Sequence, residues 1–136
     1  MRGVNLLSFI FASQMGGYAM VLLDGVYAKW FGLFGLFPGL KDPAWFIHHQ
    51  IDATLFAIPL VLPVVWKRLP GPGLVKGLIY GVLWHIFVIV VSLIGAFGGA
   101  EWFQRPMSLN AQVSTFILHL VWGGLTGFLY SPPEKA

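Results

Sequence analysis

Between residues 4 and 130 the chain passes through four long apolar stretches, each set off from the next by helix breakers or charges. They cover about 4–30, 44–66, 74–98 and 108–130. A helix rises 1.5 Å per residue, so about 20 residues cross the ~30 Å hydrocarbon core, and each stretch suffices. None alternates apolar with polar residues and all are too long for barrel strands, so helices are expected. Composition agrees: 57% of the 136 residues are hydrophobic and 10% charged, against about 25% charged in soluble domains. So few charges cannot cover a water-facing surface, and the apolar side chains are expected to face lipid. The expected fold is all-α, a polytopic transmembrane four-helix bundle forming one domain over 1–136.

The connections support that division. Residues 31–43 are rich in Gly, Phe and Leu and end in Lys41-Asp42-Pro43, which suits an interfacial half-helix. Residues 67–76 hold Lys67, Arg68, Pro70, Gly71, Pro72 and Gly73, a hydrophilic turn with strong breakers. Glu101 and Arg105 stand four apart before Pro106, which is expected in the first turn of the fourth helix. Arg2 followed by an apolar run resembles a signal peptide, but the run continues past any cleavage point, so an uncleaved first helix is expected.

Orientation follows from Lys and Arg. With the N-terminus inside, Arg2, Lys67, Arg68, Lys76 and Lys135 collect on the inner face, and Lys29, Lys41 and Arg105 on the outer. The positive-inside rule then places both termini in the cytoplasm of a bacterial inner membrane. Trp30, Trp45, Trp66 and Trp102 fall at the expected helix ends, as interfacial aromatic belts require.

Ionisable groups within a membrane cost about 2.5–3.5 kcal/mol each on insertion scales, so they point to function or to a hydrogen bond. One group comprises Asp24, His48, His49 and Asp52. His48 and His49 precede Asp52 by four and three residues, which brings imidazole and carboxylate to one helical face. Two carboxylates and two imidazoles suit proton handling or a divalent metal. Equally, the carboxylates could accept hydrogen bonds from neighbouring helices while the histidines sit at the wet interface. The second group is His85 and His119, each eleven residues into its stretch and so at similar depth in antiparallel neighbours. They could supply axial ligands to a b-type haem, single ligands to chlorophyll magnesium, or one interhelical hydrogen bond each. Trp84 and Trp122 would line such a pocket.

Gly77/Gly81, Gly95/Gly99 and Gly123/Gly127 have the spacing that lets helices approach closely, within a bundle or between subunits. Pro59 and Pro63 predict a kink or local unwinding in the inner half of the second stretch. The absence of cysteine excludes disulfides, thiolate metal sites and iron–sulfur clusters. No phosphate-binding loop, Gly-x-Ser-x-Gly elbow or His-Glu-x-x-His motif occurs. An enzyme is therefore not expected, and the scattered charge of +3 predicts no nucleic-acid partner.

The run from His119 to Tyr130 and the run Gly77-Leu78-Ile79-Tyr80-Gly81-Val82-Leu83-Trp84 resemble the last two helices of small bacterial YagU-like membrane proteins. The resemblance implies a four-helix membrane protein without an assigned activity, in which His119 is shared. The function expected is a non-catalytic accessory subunit of a larger membrane complex, of respiratory or photosynthetic electron transfer. The alternatives are a small oligomeric proton- or ion-linked transporter built on Asp24, Asp52 and the proline kink, and a free-standing b-type cytochrome.

Overall fold

The computed structural model describes residues 3–95 and 108–134. Six α-helices follow in order: α1 (Leu6–Val26), α2 (Pro43–Leu55), α3 (Ile58–Val61), α4 (Pro63–Arg68), α5 (Gly73–Leu93) and α6 (Leu109–Leu129). No strand occurs among the described residues. Three helices, α1, α5 and α6, are long and apolar enough to cross a membrane. Arg2, Gly99, Glu101, Trp102, Arg105, Pro106 and Lys135, with the predicted end of the third helix at residue 98, lie outside the described residues.

Local signals set the ends of the long helices. Asn5 caps α1, its side chain accepting from the Ser8 N–H at 3.3 Å, and Ser108 caps α6 by accepting from the Ala111 N–H. Helix α5 stops at Leu93 because Gly95 turns left-handed at φ +64°. Among the described residues nothing lies within 4 Å of where a Gly95 Cβ would stand, so no packing contact of Gly95 is found among them.

Helix α6 lies between α1 and α5 and runs antiparallel to both. Asn5 donates its N–H to the Tyr130 hydroxyl and Ser131 donates its N–H to Ser8 Oγ, so the start of α1 meets the end of α6. Along α5 and α6, Gly73 faces Gly127, Gly77 faces Gly123 and Gly81 faces the His119 carbonyl. The glycine faces expected to serve either the bundle or a subunit contact thus serve the bundle, within this chain.

The second apolar stretch is not one helix but three short ones in series. Pro59 and Pro63 occupy the first turns of α3 and α4, and Leu62, preceding Pro63, is extended at φ −60°, ψ 131°. Approaching the first break, the Ala57 N–H turns to Thr54 O and the Leu60 N–H to Ala57 O. This tightening frees the carbonyls of Ala53 and Phe56. The Trp122 Nε1–H donates to Ala53 O at 3.0 Å, and the Tyr80 hydroxyl donates to Phe56 O. Such donors are needed because a backbone carbonyl freed in a place shielded from water must find another partner.

At the lower turn the Lys76 ammonium donates to the carbonyls of Trp66 (2.6 Å) and Leu69 and stands 5.3 Å from the centre of the Trp66 ring. Lys76→Met is expected to leave both carbonyls short of a donor. It should cost about 1–3 kcal/mol, read as earlier thermal unfolding in detergent and faster proteolysis between residues 66 and 73.

Residues 31–43 form two short 3-10 turns, Trp30–Gly32 and Gly39–Lys41, in place of the expected half-helix. Left-handed φ values at Lys29, Phe31, Gly32, Phe34, Gly35 and Gly39 interrupt any continuous helix. The segment folds back onto the bundle, where Phe34 is buried and donates its N–H to Ser114 Oγ at 3.0 Å.

Candidate functional site

Three of the six ionisable residues, His49 and Asp52 from the first group and His119 from the second, meet at one cavity of about 170 Å³, beside the break between α2 and α3. His49, Asp52 and Phe56 reach it from the second stretch, Trp84 from α5, and His119 and Trp122 from α6. Helix α2 is held in this position by polar contacts with α1. Gln14 Nε2 donates to Gln50 O (2.9 Å) and Thr54 Oγ1 (2.8 Å), and Gln50 Nε2 donates back to the side-chain and backbone oxygens of Gln14. Ser13 and Thr54 share a hydroxyl contact of 2.8 Å. Each such bond between packed helices contributes about 0.5–1.5 kcal/mol, and together they fix the rotation of α2 against α1.

His49 stacks on Trp45 with ring centres 5.0 Å apart, and its Nε2 lies 3.0 Å from the Gly17 carbonyl. An N–H on that nitrogen satisfies the carbonyl and defines the tautomer. The Asp52 side chain is a quarter exposed. Among the described residues its one hydrogen-bond or ion-pair partner is His48 Nε2 at 3.6 Å, and the His48 side chain is itself half exposed. That separation exceeds a hydrogen bond, so the carboxylate keeps acceptor capacity toward the cavity.

His85 and His119 are buried, 6% and 8% exposed, and their Nδ1 atoms lie 3.0 Å apart. One ring donates and the other accepts, so the pair shares a single proton across the contact. The arrangement does not fit a bis-histidine haem. Two axial nitrogens stand roughly 4 Å apart, two metal–imidazole bonds of about 2 Å, with the macrocycle between them. Here the rings touch directly.

Asp24 stands apart from this cavity. Buried at 3% exposure, its Oδ1 and Oδ2 accept the N–H groups of Leu36 and Phe37, each at 3.1 Å. It pins the returning segment rather than joining Asp52. Among the described residues no three His, Asp or Glu side chains gather as a metal-ligand set. Of the residues expected to act, the fold therefore brings together His49, Asp52 and His119, with His85 behind His119 and His48 outside Asp52.

Two contributors escaped the sequence reading. Phe56 lies at the helix break and stacks on Trp84 with ring centres 4.7 Å apart. Tyr80 supplies the hydroxyl that closes the break. A tyrosine inside an apolar helix requires an acceptor for its O–H, and that signal was available for Tyr80. For Phe56 there was none, because phenylalanine within an apolar stretch is ordinary.

Among the described residues these features define a helical protein with three helices long and apolar enough to cross a membrane, and a cavity lined by Asp52, His49 and His119 beside the broken second stretch. No protein-family model, curated protein or solved structure matches the chain.

Proposed function

We propose that this is a four-span protein of the bacterial cytoplasmic membrane, with both termini inside, acting as a proton- or ion-linked transport subunit. The observation that carries this reading is the cavity where Asp52, His49 and His119 face one space beside a broken helix. Intramembrane carboxylates and imidazoles are costly and mark proton relays and ion paths, and interrupted helices beside them supply the irregular backbone such paths use. Asp52 is the loading carboxylate. His119, bonded to His85, is positioned to pass a proton deeper between α5 and α6. Four spans rarely enclose a path alone, so a second copy or a further subunit completes it.

The test is reconstitution into liposomes holding a pH-sensitive dye. With a proton gradient imposed, Asp52→Asn is expected to lower flux by about ten-fold or more, the scale of losing one positioned proton carrier. Glu134→Gln in the tail should leave flux unchanged. Wild-type flux in Asp52→Asn overturns the reading.

A second reading, the accessory subunit of an electron-transfer complex, is favoured by an apolar groove of about 420 Å³ on the outer side of α5 and α6, between Leu74, Leu78, Leu120 and Phe128. A neighbouring apolar helix would fill it. Large subunits that co-purify with a chain showing no flux would move the weight to this reading, with His85 and His119 in a structural role.

A further inference from the structure

We infer that the Asp52 cavity binds a small organic cation of the methylated-ammonium class. The inference rests on the transport reading above and names the substrate that the site would take.

The walls and the charge point to that chemistry together. Phe56, Trp84 and Trp122 all line the cavity, Trp84 stacking on Phe56 with ring centres 4.7 Å apart and standing 6.0 Å from Trp122 at a tilt of 60°. Aromatic faces attract a cation within about 6 Å of the ring centre, most strongly when both are desolvated. The Trp122 indole is held in place by its bond to Ala53 O, so the wall is set before a ligand arrives. Asp52 supplies the opposite charge from α2, loosely held by His48 at 3.6 Å. His49 Nε2 is engaged by the Gly17 carbonyl and His119 Nδ1 by His85, which leaves Asp52 as the acidic group lining the cavity.

The same features argue against a metal ion. A hard inorganic cation gives up its water only for several oxygen ligands, and among the described residues no three His, Asp or Glu side chains gather to hold one, Asp52 being the one carboxylate lining the cavity. An alkylammonium has a weak hydration shell and asks for less: apolar contact, ring faces and one carboxylate. Size agrees, since a cavity of about 170 Å³ compares with the ~150 Å³ that takes one benzene. A trimethylammonium group falls within that scale and a polycyclic dye does not.

This chemistry has two sources in a membrane, a free solute and the headgroup of a choline lipid. The experiment uses the full-length protein in maltoside micelles free of choline lipid, titrated with choline and with dimethylbutanol, its uncharged carbon isostere. Choline is expected to bind about ten-fold or more tightly than the isostere, a comparison that needs no variant. Asp52→Asn, eluting as the wild-type species, should lose that preference, and Trp84→Leu should weaken choline several-fold. Equal binding of choline and isostere, or an unchanged preference in Asp52→Asn, overturns the inference. Repeating the titration in nanodiscs with added phosphatidylcholine separates the sources. Competition identifies the lipid headgroup, and its absence identifies the free solute. Selective choline binding without proton flux keeps the site and removes transport. Flux that depends on Asp52 without selective binding removes the site and keeps transport.

Discussion

Replacing Gly77 with alanine is expected to destabilise the protein by about 3 kcal/mol or more, the upper end of overpacking costs. A Cβ at this position would stand 2.0 Å from the Gly123 carbonyl oxygen and 2.7 Å from its carbon. Both are backbone atoms, so no side chain can rotate aside. The helices α5 and α6 must separate, and the contact runs along both from Gly73 and Gly127 to Gly81 and His119. Separation there would also pull apart the 3.0 Å bond between His85 and His119. Alanine is intrinsically the better helix former by about 1 kcal/mol, so the net sign depends on the clash. Gly25→Ala is the matched control. Nothing lies within 4 Å of a Cβ there, and it should be neutral or slightly stabilising. Thermal unfolding of both variants in detergent decides the matter. A Gly77→Ala protein as stable as wild type would mean that α5 and α6 do not meet through this face.

Asp24→Ala should be nearly as damaging, for an electrostatic reason. Each carboxylate oxygen accepts one backbone N–H, from Leu36 and from Phe37, and the Asp24 carbonyl accepts the Gly35 N–H at 2.9 Å. Removing the side chain orphans two donors in a part-buried place, at about 1–3 kcal/mol each. The expected loss is about 2–6 kcal/mol on that basis, with faster hydrogen exchange at Leu36 and Phe37. Phe34, which donates to Ser114 from the same segment, should loosen with them. Asp24→Asn should fall between, since one oxygen remains an acceptor while the new amide presents a donor to a donor. Protection at Leu36 and Phe37 unchanged in Asp24→Ala would show that something else anchors the segment.

The role of Asp24 illustrates how a sequence misleads within a membrane. A buried acid near a helix end reads equally as an ion ligand or as an anchor, because both satisfy the same energetic demand. Only the left-handed residues of the returning segment, which aim two N–H groups at one carboxylate, choose between them. The proline pair was more legible. Pro59 and Pro63 announce a break through covalent geometry, and the break is there, deeper than a kink. The partners of the freed carbonyls were not legible, since Tyr80 and Trp122 lie on helices far along the chain.

Length, hydropathy, breakers and caps are properties of neighbouring residues. They suffice to place α1, α5 and α6, the turn over 69–72 and the interruption after Leu55. Which face of each helix turns inward is another matter. Helices α1 and α5 are apolar almost all round, so no polar stripe marks an outside. Their rotation is set by close fits between distant residues, Gly77 against Gly123 and Gln14 against Gln50. Those fits bring His119 to His85 and set both beside the cavity of Asp52. The histidines and acids stand in the sequence as a group of four and a separate pair; tertiary packing brings His49 and Asp52 of the one to His119 of the other, because lateral order in a bundle is carried by shape complementarity between helices and by nothing local to any of them.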